Sequence, residues 1–257
     1  AVGTSNPLMT LAILFINGMC LGAGILVSTA FGAGDHKLVE RQVSTAAIAG
    51  TAFSVAFSLL CVLLATPLLR LLQVPADILP MAVRYLRIVF SGLIFTFFYN
   101  FLAAVMRALG DSKATLYFLL VSSILNVVLD LAFVAGLGLG VAGAAVATII
   151  SQALSAAWVL RFLCSEKSGI RLKKAGMKLD FSLIGQIMAL GVSPFVMSAT
   201  ESAITIVMNH GLQVYGGDLY VGSMTILQSV LQLVFVPISG FTNGVQPIIS
   251  YNFGAGK

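Results

Sequence analysis

Leu116-Tyr-Phe-Leu-Leu-Val-Ser-Ser-Ile-Leu-Asn126-Val-Val-Leu-Asp130-Leu-Ala-Phe-Val-Ala-Gly-Leu137 is the stretch whose reading decides the fold. Only Asp130 in it carries a charge. A run of roughly 20 apolar residues is long enough to cross a bilayer as a helix. Gly138-Leu-Gly140 follows, and a second apolar run begins at Val141. Long apolar runs also cover residues 8–30, 43–64, 88–106, 183–209 and 221–250, so with 116–137 and 141–163 the chain offers seven candidate spans. Gly, Pro and charge mark the turns between them, at 32–37, 66–80, 110–113, 138–140, 165–180 and 216–218. Pro194, Pro237 and Pro247 fall inside the last two runs as candidate kinks.

Composition agrees with the runs. Hydrophobic residues make up 59% of the 257 and charged residues 9%, with a mean hydropathy of +1.03. A soluble domain carries about a quarter charged residues. Lipid is the solvent this chain requires, and the expected fold class is all-α, a polytopic transmembrane helix bundle. The net charge of +5 does not point to nucleic acid, because the charges fall in short loops between apolar runs. Cys20, Cys61 and Cys164 have no metal-ligand spacing and read as packing residues.

Seven spans place alternate loops on opposite sides. One set carries Lys37, Arg41, Arg107, Lys113, Arg161, Lys167, Arg171, Lys173, Lys174, Lys178 and Lys257, and the other only Arg70, Arg84 and Arg87. The positive-inside rule makes the first set cytoplasmic. The expectation is a multi-pass protein of the plasma (inner) membrane, with loops 31–42, 107–114 and 161–181 and the C-terminal end in the cytoplasm.

The first and last spans end alike. Phe31-Gly32-Ala33-Gly34 recurs as Phe253-Gly254-Ala255-Gly256, and the same register pairs Leu11 with Leu233, Ile16 with Ile238, Gly18 with Gly240, Gly22 with Gly244 and Ser28 with Ser250. These spans are six apart and cross in the same direction, which implies parallel, pseudo-symmetric halves of six spans each. On that reading residues 1–164 are spans two to six of an N-terminal half. Residues 165–181 are a basic cytoplasmic linker, and 182–257 open the C-terminal half with spans seven and eight. Ala1 opens in mid-pattern with no initiator Met, so the expectation is a chain lacking one span before it and about four after it.

Seven of the nine acidic residues lie in loops; Asp130 and Glu201 lie within spans. A carboxylate inside a span costs roughly 2.5–3.5 kcal/mol on insertion scales and normally faces a cavity or a partner. Asn126 stands one turn before Asp130 on the same face. Thr148, about as far from Leu139 as Asp130 is, returns to similar depth on the next span. Asn126, Asp130 and Thr148 together suit a proton or a hard cation such as Na⁺. Glu201, seven residues after Pro194, is the second candidate. His210 reads as an interfacial residue. Gly138-Leu-Gly140-Val-Ala-Gly143 fits G-x-G-x-x-G but separates two spans, so it reads as a tight turn. Walker A, H-E-x-x-H and G-x-S-x-G sequences are lacking, and no catalytic residue is assigned; the chain does not read as an enzyme.

At these residues the chain resembles the multidrug and toxic compound extrusion (MATE) family, bacterial branch. The most specific stretch is Asn126-Val-Val-Leu-Asp130 continuing through Gly138 to Thr148, Ser151 and Gln152. Gly32-Ala33-Gly34-Asp35, Arg107-Ala-Leu-Gly110-Asp111 and the run from Gly244-Val-Gln246-Pro247 to Gly256 support it. The resemblance covers the whole chain as spans two to eight of twelve. It implies a secondary transporter exporting organic cations and other amphipathic toxicants against H⁺ or Na⁺ by alternating access. Asn126, Asp130 and Thr148 match a cation site of the first half, and Glu201 matches an acidic position of the second. The implied partners are amphipathic or cationic drugs and the lipid bilayer, with no nucleic acid, no cofactor beyond the coupling ion, and a monomeric state. The rival readings are a lipid-linked oligosaccharide flippase, expected to have a strongly cationic cavity, and a channel or non-transporting scaffold.

Overall fold

The computed structural model describes residues 2–71, 78–163 and 179–257. The described chain is helical almost throughout: α1 (Val2–Gly32), α2 (His36–Leu71), α3 (Leu79–Ser91), α4 (Leu93–Ala108), α5 (Ser112–Asp130) with a π-type turn Leu131–Gly136, α6 (Gly140–Leu163) and α7 (Phe181–Gly254). Six of these stretches are long and apolar enough to cross a membrane, and the count becomes seven when α3 and α4 are taken as one broken span. The basic segment 164–178, including Cys164, lies outside the described residues, as do 72–77 within the expected second turn.

Loop carboxylates set the helix starts. Asp35 Oδ1 accepts from Leu38 N at 2.9 Å, Asp111 Oδ1 from Ala114 N at 2.9 Å, and Asp180 Oδ1 from Ser182 N at 2.9 Å. Each satisfies an amide that the first helical turn leaves without a partner. The turn expected at 216–218 is narrower than a loop. Only Gly217 departs from helical geometry (φ 65, ψ −165), and it divides α7 into a first arm, Phe181–Thr205, and a second arm, Ile226–Gly254. A positive φ of this kind favours glycine.

The third span starts earlier than its apolar run suggests. Its helix begins at Leu79, beside Pro80 in the first turn, and bends by 43° at Gly92 before continuing as α4. Arg84 and Arg87 interrupt the apolar pattern, but they leave intact the face that buries Ala82, Leu86 and Phe90. The second helix likewise continues through Pro67 to Leu71.

The core lies among α1 to α4, around Ile16, Val27, Val43, Leu86, Phe90 and Phe101. Phe97 and Phe101 stack at 5.3 Å, and α2 passes Phe97 at Gly50, where any Cβ would enter the ring. By contrast α5 turns Leu116, Tyr117, Ile124 and Val128 outward, which is the surface a bilayer solvates.

Glycines bring α7 against α1. A Cβ on Gly18 would stand 2.6 Å from the Gly191 oxygen, and one on Gly191 2.6 Å from the Gly18 oxygen. One turn on, a Cβ at Gly22 would strike the Ile187 oxygen. Such close helix approach is what small residues permit in membranes.

The ends of α1 and of the second arm meet reciprocally. A Cβ at Gly32 would run into the Tyr251 carbonyl, and one at Gly254 into the Thr29 carbonyl. Tyr251 stands three residues before Gly254, as Thr29 does before Gly32. Ser28 Oγ donates to the Pro247 oxygen at 2.7 Å. Both helices also end with the same hydrogen bonds: Ala33 N to Thr29 O and Asp35 N to Ala30 O, mirrored by Ala255 N to Tyr251 O and Lys257 N to Asn252 O. Gly34 (φ 75) and Gly256 (φ 69) close them in the left-handed region. At this same end Arg41 of α2 pairs with Asp180 at 2.6 Å. Lys37, Arg107, Lys113 and Arg161 also belong to it, so it is the basic end of the bundle.

Candidate functional site

Two polar features interrupt the apolar interior. The first is built by α5 and α6 at the end away from the basic one. Asn126 Nδ2 donates to Thr148 Oγ1 at 3.3 Å, and Thr148 Oγ1 donates to the Ala144 carbonyl at 3.0 Å. One turn beyond Asn126, Asp130 keeps its Oδ1 buried with no hydrogen-bond partner. A buried polar oxygen left unsatisfied costs about 1–3 kcal/mol.

The helix changes form at this residue. Directly after Asp130 it widens into the π-type turn, with Leu137 N reaching back to Ala132 O at 2.9 Å. π-turns of this kind are frequent at functional sites. Gly138 (φ 63) and Gly140 (φ 55) then reverse the chain. A Cβ on Gly143 would stand 3.2 Å from Phe133, so α6 returns close along the widened turn. The G-x-G-x-x-G stretch is thus a reversal between spans.

The structure brings together Asn126 and Thr148 with Asp130 beside them; Glu201 stands apart. Glu201 is exposed on the first arm of α7, and its backbone carbonyl accepts from Thr205 Oγ1 at 2.9 Å. Among the described residues no hydrogen bond or ion pair reaches its carboxylate.

The second feature is a cavity of about 370 Å³ between α1, α4 and both arms of α7. Asn17 on α1, Asn100 and Arg107 on α4, Ser198 on the first arm, and Asn243 and Gln246 on the second supply its polar lining. Along α1 it extends from Leu14 to Gly24, roughly 15 Å of helix. The reciprocal glycine contact of α1 and the second arm lies below it, toward the basic end.

Hydrogen bonds tie α4 at the cavity wall to α6. Asn100 Nδ2 donates to the Thr96 carbonyl at 2.8 Å, and Thr96 Oγ1 donates to Gln152 Oε1 at 2.7 Å. Gln152 is one turn from Thr148. Ser151, between them, donates to the Thr148 carbonyl at 2.9 Å, and its own carbonyl accepts from Ser122 Oγ of α5 at 3.4 Å.

The family model MatE matches residues 1–132. The chain belongs to the MatE family. It is 29% identical over its whole length to the probable multidrug resistance protein YpnP of Bacillus subtilis, and 26% identical to the multidrug export protein MepA of Staphylococcus aureus. The chain spans 57% of the length of these curated relatives. A solved structure described as an outward-facing conformation of a multidrug resistance MATE family transporter superposes with a TM-score of 0.93 at 21% identity. That match covers 99% of this chain and 56% of the other, and it establishes the MATE fold.

Sequence reasoning did not single out the cavity of this MATE chain. Asn17, Asn100, Asn243 and Gln246 are neutral polar residues inside apolar runs, and a search for charge alone passes over them. An amide in a membrane span, tracked as closely as a carboxylate, is the signal that finds them.

Proposed function

We propose that the chain is the ion-coupled core of a secondary multidrug efflux transporter, exporting amphipathic molecules in exchange for H⁺ or Na⁺. The observation that carries the proposal is the buried, unpartnered Oδ1 of Asp130 beside the Asn126–Thr148 pair. A proton or Na⁺ arriving there neutralises the carboxylate and removes the cost of its burial. Asn126 and Thr148 supply the neutral oxygens of the ion's surroundings. The ion is cargo, and its gradient drives the cycle. Each charge moved inward draws about 2.3 kcal/mol per 100 mV. Glu201 begins a second ion site in the other half.

The basic end is the cytoplasmic end by the positive-inside rule. The reciprocal contact of α1 and the second arm of α7 then closes the cytoplasmic side, and the cavity above it faces outward. The matching helix ends favour two parallel halves, 1–164 and 182–257, joined by a basic linker. Alternating access consists of opening that contact and closing the halves at the other end. The flippase reading expects a strongly cationic cavity, and one arginine among neutral amides does not meet that expectation.

Asp130→Asn in the full-length transporter tests the proposal. Drug efflux driven by an ion gradient should fall at least tenfold while membrane insertion and expression stay at the wild-type level. Near-normal efflux by the variant would sink the assignment of Asp130 as the ion site.

A further inference from the structure

The cavity carries a charge opposite in sign to that of Asp130. Among the fourteen described residues that line it Arg107 is the only charged one, and none of these is acidic or aromatic. A bulky organic cation in a low-dielectric site is commonly held by a carboxylate or an aromatic face. This lining has neither.

What it offers is one fixed cationic donor and several neutral amides. Arg107 is half-buried in the last turn of α4, where the helix dipole favours a positive charge. Among the described residues its guanidinium makes no ion pair and no hydrogen bond. Asp111, four residues on, has an Oδ1 occupied with the Ala114 amide. The guanidinium therefore presents its N–H groups, five in a fixed fork, as unclaimed donors. The side-chain amides of Asn17, Asn243 and Gln246 likewise have no partner among the described residues and line the same space. A planar fork beside neutral amides matches the oxygens of a carboxylate, sulfonate or phosphate, and Arg pairs with such groups in bidentate fashion. Leu14, Leu21 and Pro194 supply apolar wall for a hydrophobic body, and the volume lies within the usual range of small-molecule sites, about 300–1,000 Å³.

We infer that this cavity binds the oxyanionic head group of an amphipathic molecule, with Arg107 as its counter-charge. The inference rests on the transporter reading for its biological use, but equilibrium binding tests it without any transport step. Failure of the Asp130 experiment and failure of this one are therefore separable.

The measurement is equilibrium binding of radiolabelled taurocholate, an amphipathic sulfonate, and of tetraphenylphosphonium, a bulky cation. The full-length protein is held in nanodiscs of phosphatidylcholine. Taurocholate should bind saturably. Arg107→Gln should weaken it at least tenfold and Arg107→Lys by less, with tetraphenylphosphonium affinity not reduced in either. Asn243→Asp places a carboxylate in the cavity without touching Arg107. It should lower taurocholate affinity and raise that for the cation, and it decides the matter if Arg107→Gln does not fold. Replacing part of the lipid with phosphatidylglycerol separates the sources of the anion. Displacement of taurocholate identifies a lipid phosphate as an occupant, and undiminished binding identifies a soluble amphipathic anion; both support the site. Absence of taurocholate binding to the wild type in both lipids would overturn the inference, as would unchanged affinity in Arg107→Gln or, where that variant does not fold, in Asn243→Asp.

Discussion

At the scale of single residues, Gln152 is where the proposed coupling between the ion site and the cavity can be tested. Its Oε1 accepts from Thr96 on α4 at 2.7 Å, and one turn away on the same helix Thr148 accepts from Asn126. If the proposed ion site moves α6, the Gln152–Thr96 and Thr96–Asn100 bonds are the contacts through which the cavity wall would follow. Spatial connection alone does not establish coupling, and Gln152→Ala measures it. The variant should retain ligand binding to within about tenfold, because one neutral hydrogen bond contributes about 0.5–1.5 kcal/mol, yet the dependence of that binding on pH or Na⁺ should shrink. Unchanged ion dependence would show that the Thr96–Gln152 bond is structural only. Asp130 stood out in the sequence because an ionisable group in an apolar run is expensive, and the structure leaves its Oδ1 buried without a partner. Thr148 was legible because two glycines fix where the next span returns. Arg107 was not, since an arginine at the basic end of a span is already accounted for by topology. Its place in a cavity depends on which helices converge there.

Elements were read well where one physical constraint ruled and less well where two competed. The lipid-facing runs of α5 and α6 follow directly from length and hydropathy. In α3 the arginines suggested a loop, while the buried stripe of Ala82, Leu86 and Phe90 stabilises a helix that ends in a bend. The repeated Phe-Gly-Ala-Gly ends were visible in the sequence, but not that they touch each other. That contact makes a specific prediction. Gly32→Val and Gly254→Val each drive a side chain into a backbone carbonyl of the opposing helix, which cannot move aside as a flexible side chain would. Each should destabilise the α1–α7 joint by about 1–3 kcal/mol, the usual cost of overpacking. Because both act on one joint, the double variant should cost clearly less than the sum of the two. Thermal stability of the detergent-solubilised protein, read as the monodisperse fraction after heating, checks this. Full additivity would mean that the two glycines serve separate contacts.

For the molecule as a whole, the proposed outward-facing state rests on the joint and the cavity. The cavity begins about 12 Å of helix above Gly32 and reaches about 27 Å above it at Leu14. The packed ends of α1 and the second arm lie below it. Away from that end the second arm is exposed from Leu231 to Gly244. A thiol placed at Asn243, in a background where Cys20, Cys61 and Cys164 are alanine, should react with a membrane-impermeant maleimide added to the outside of intact cells. In inside-out vesicles it should be protected at least tenfold. Introducing Gly32→Val should loosen the joint and raise labelling from the cytoplasmic face at the expense of the outer one, since in alternating access one opening excludes the other. Equal labelling from both faces in the parent protein would mean that the joint does not seal the cavity, and the outward-facing assignment would then fail even if Asp130 binds the coupling ion. If labelling is strong from the cytoplasm alone, the basic end is the open one, and the reciprocal glycine contact would have to be read as a hinge about which the helices splay.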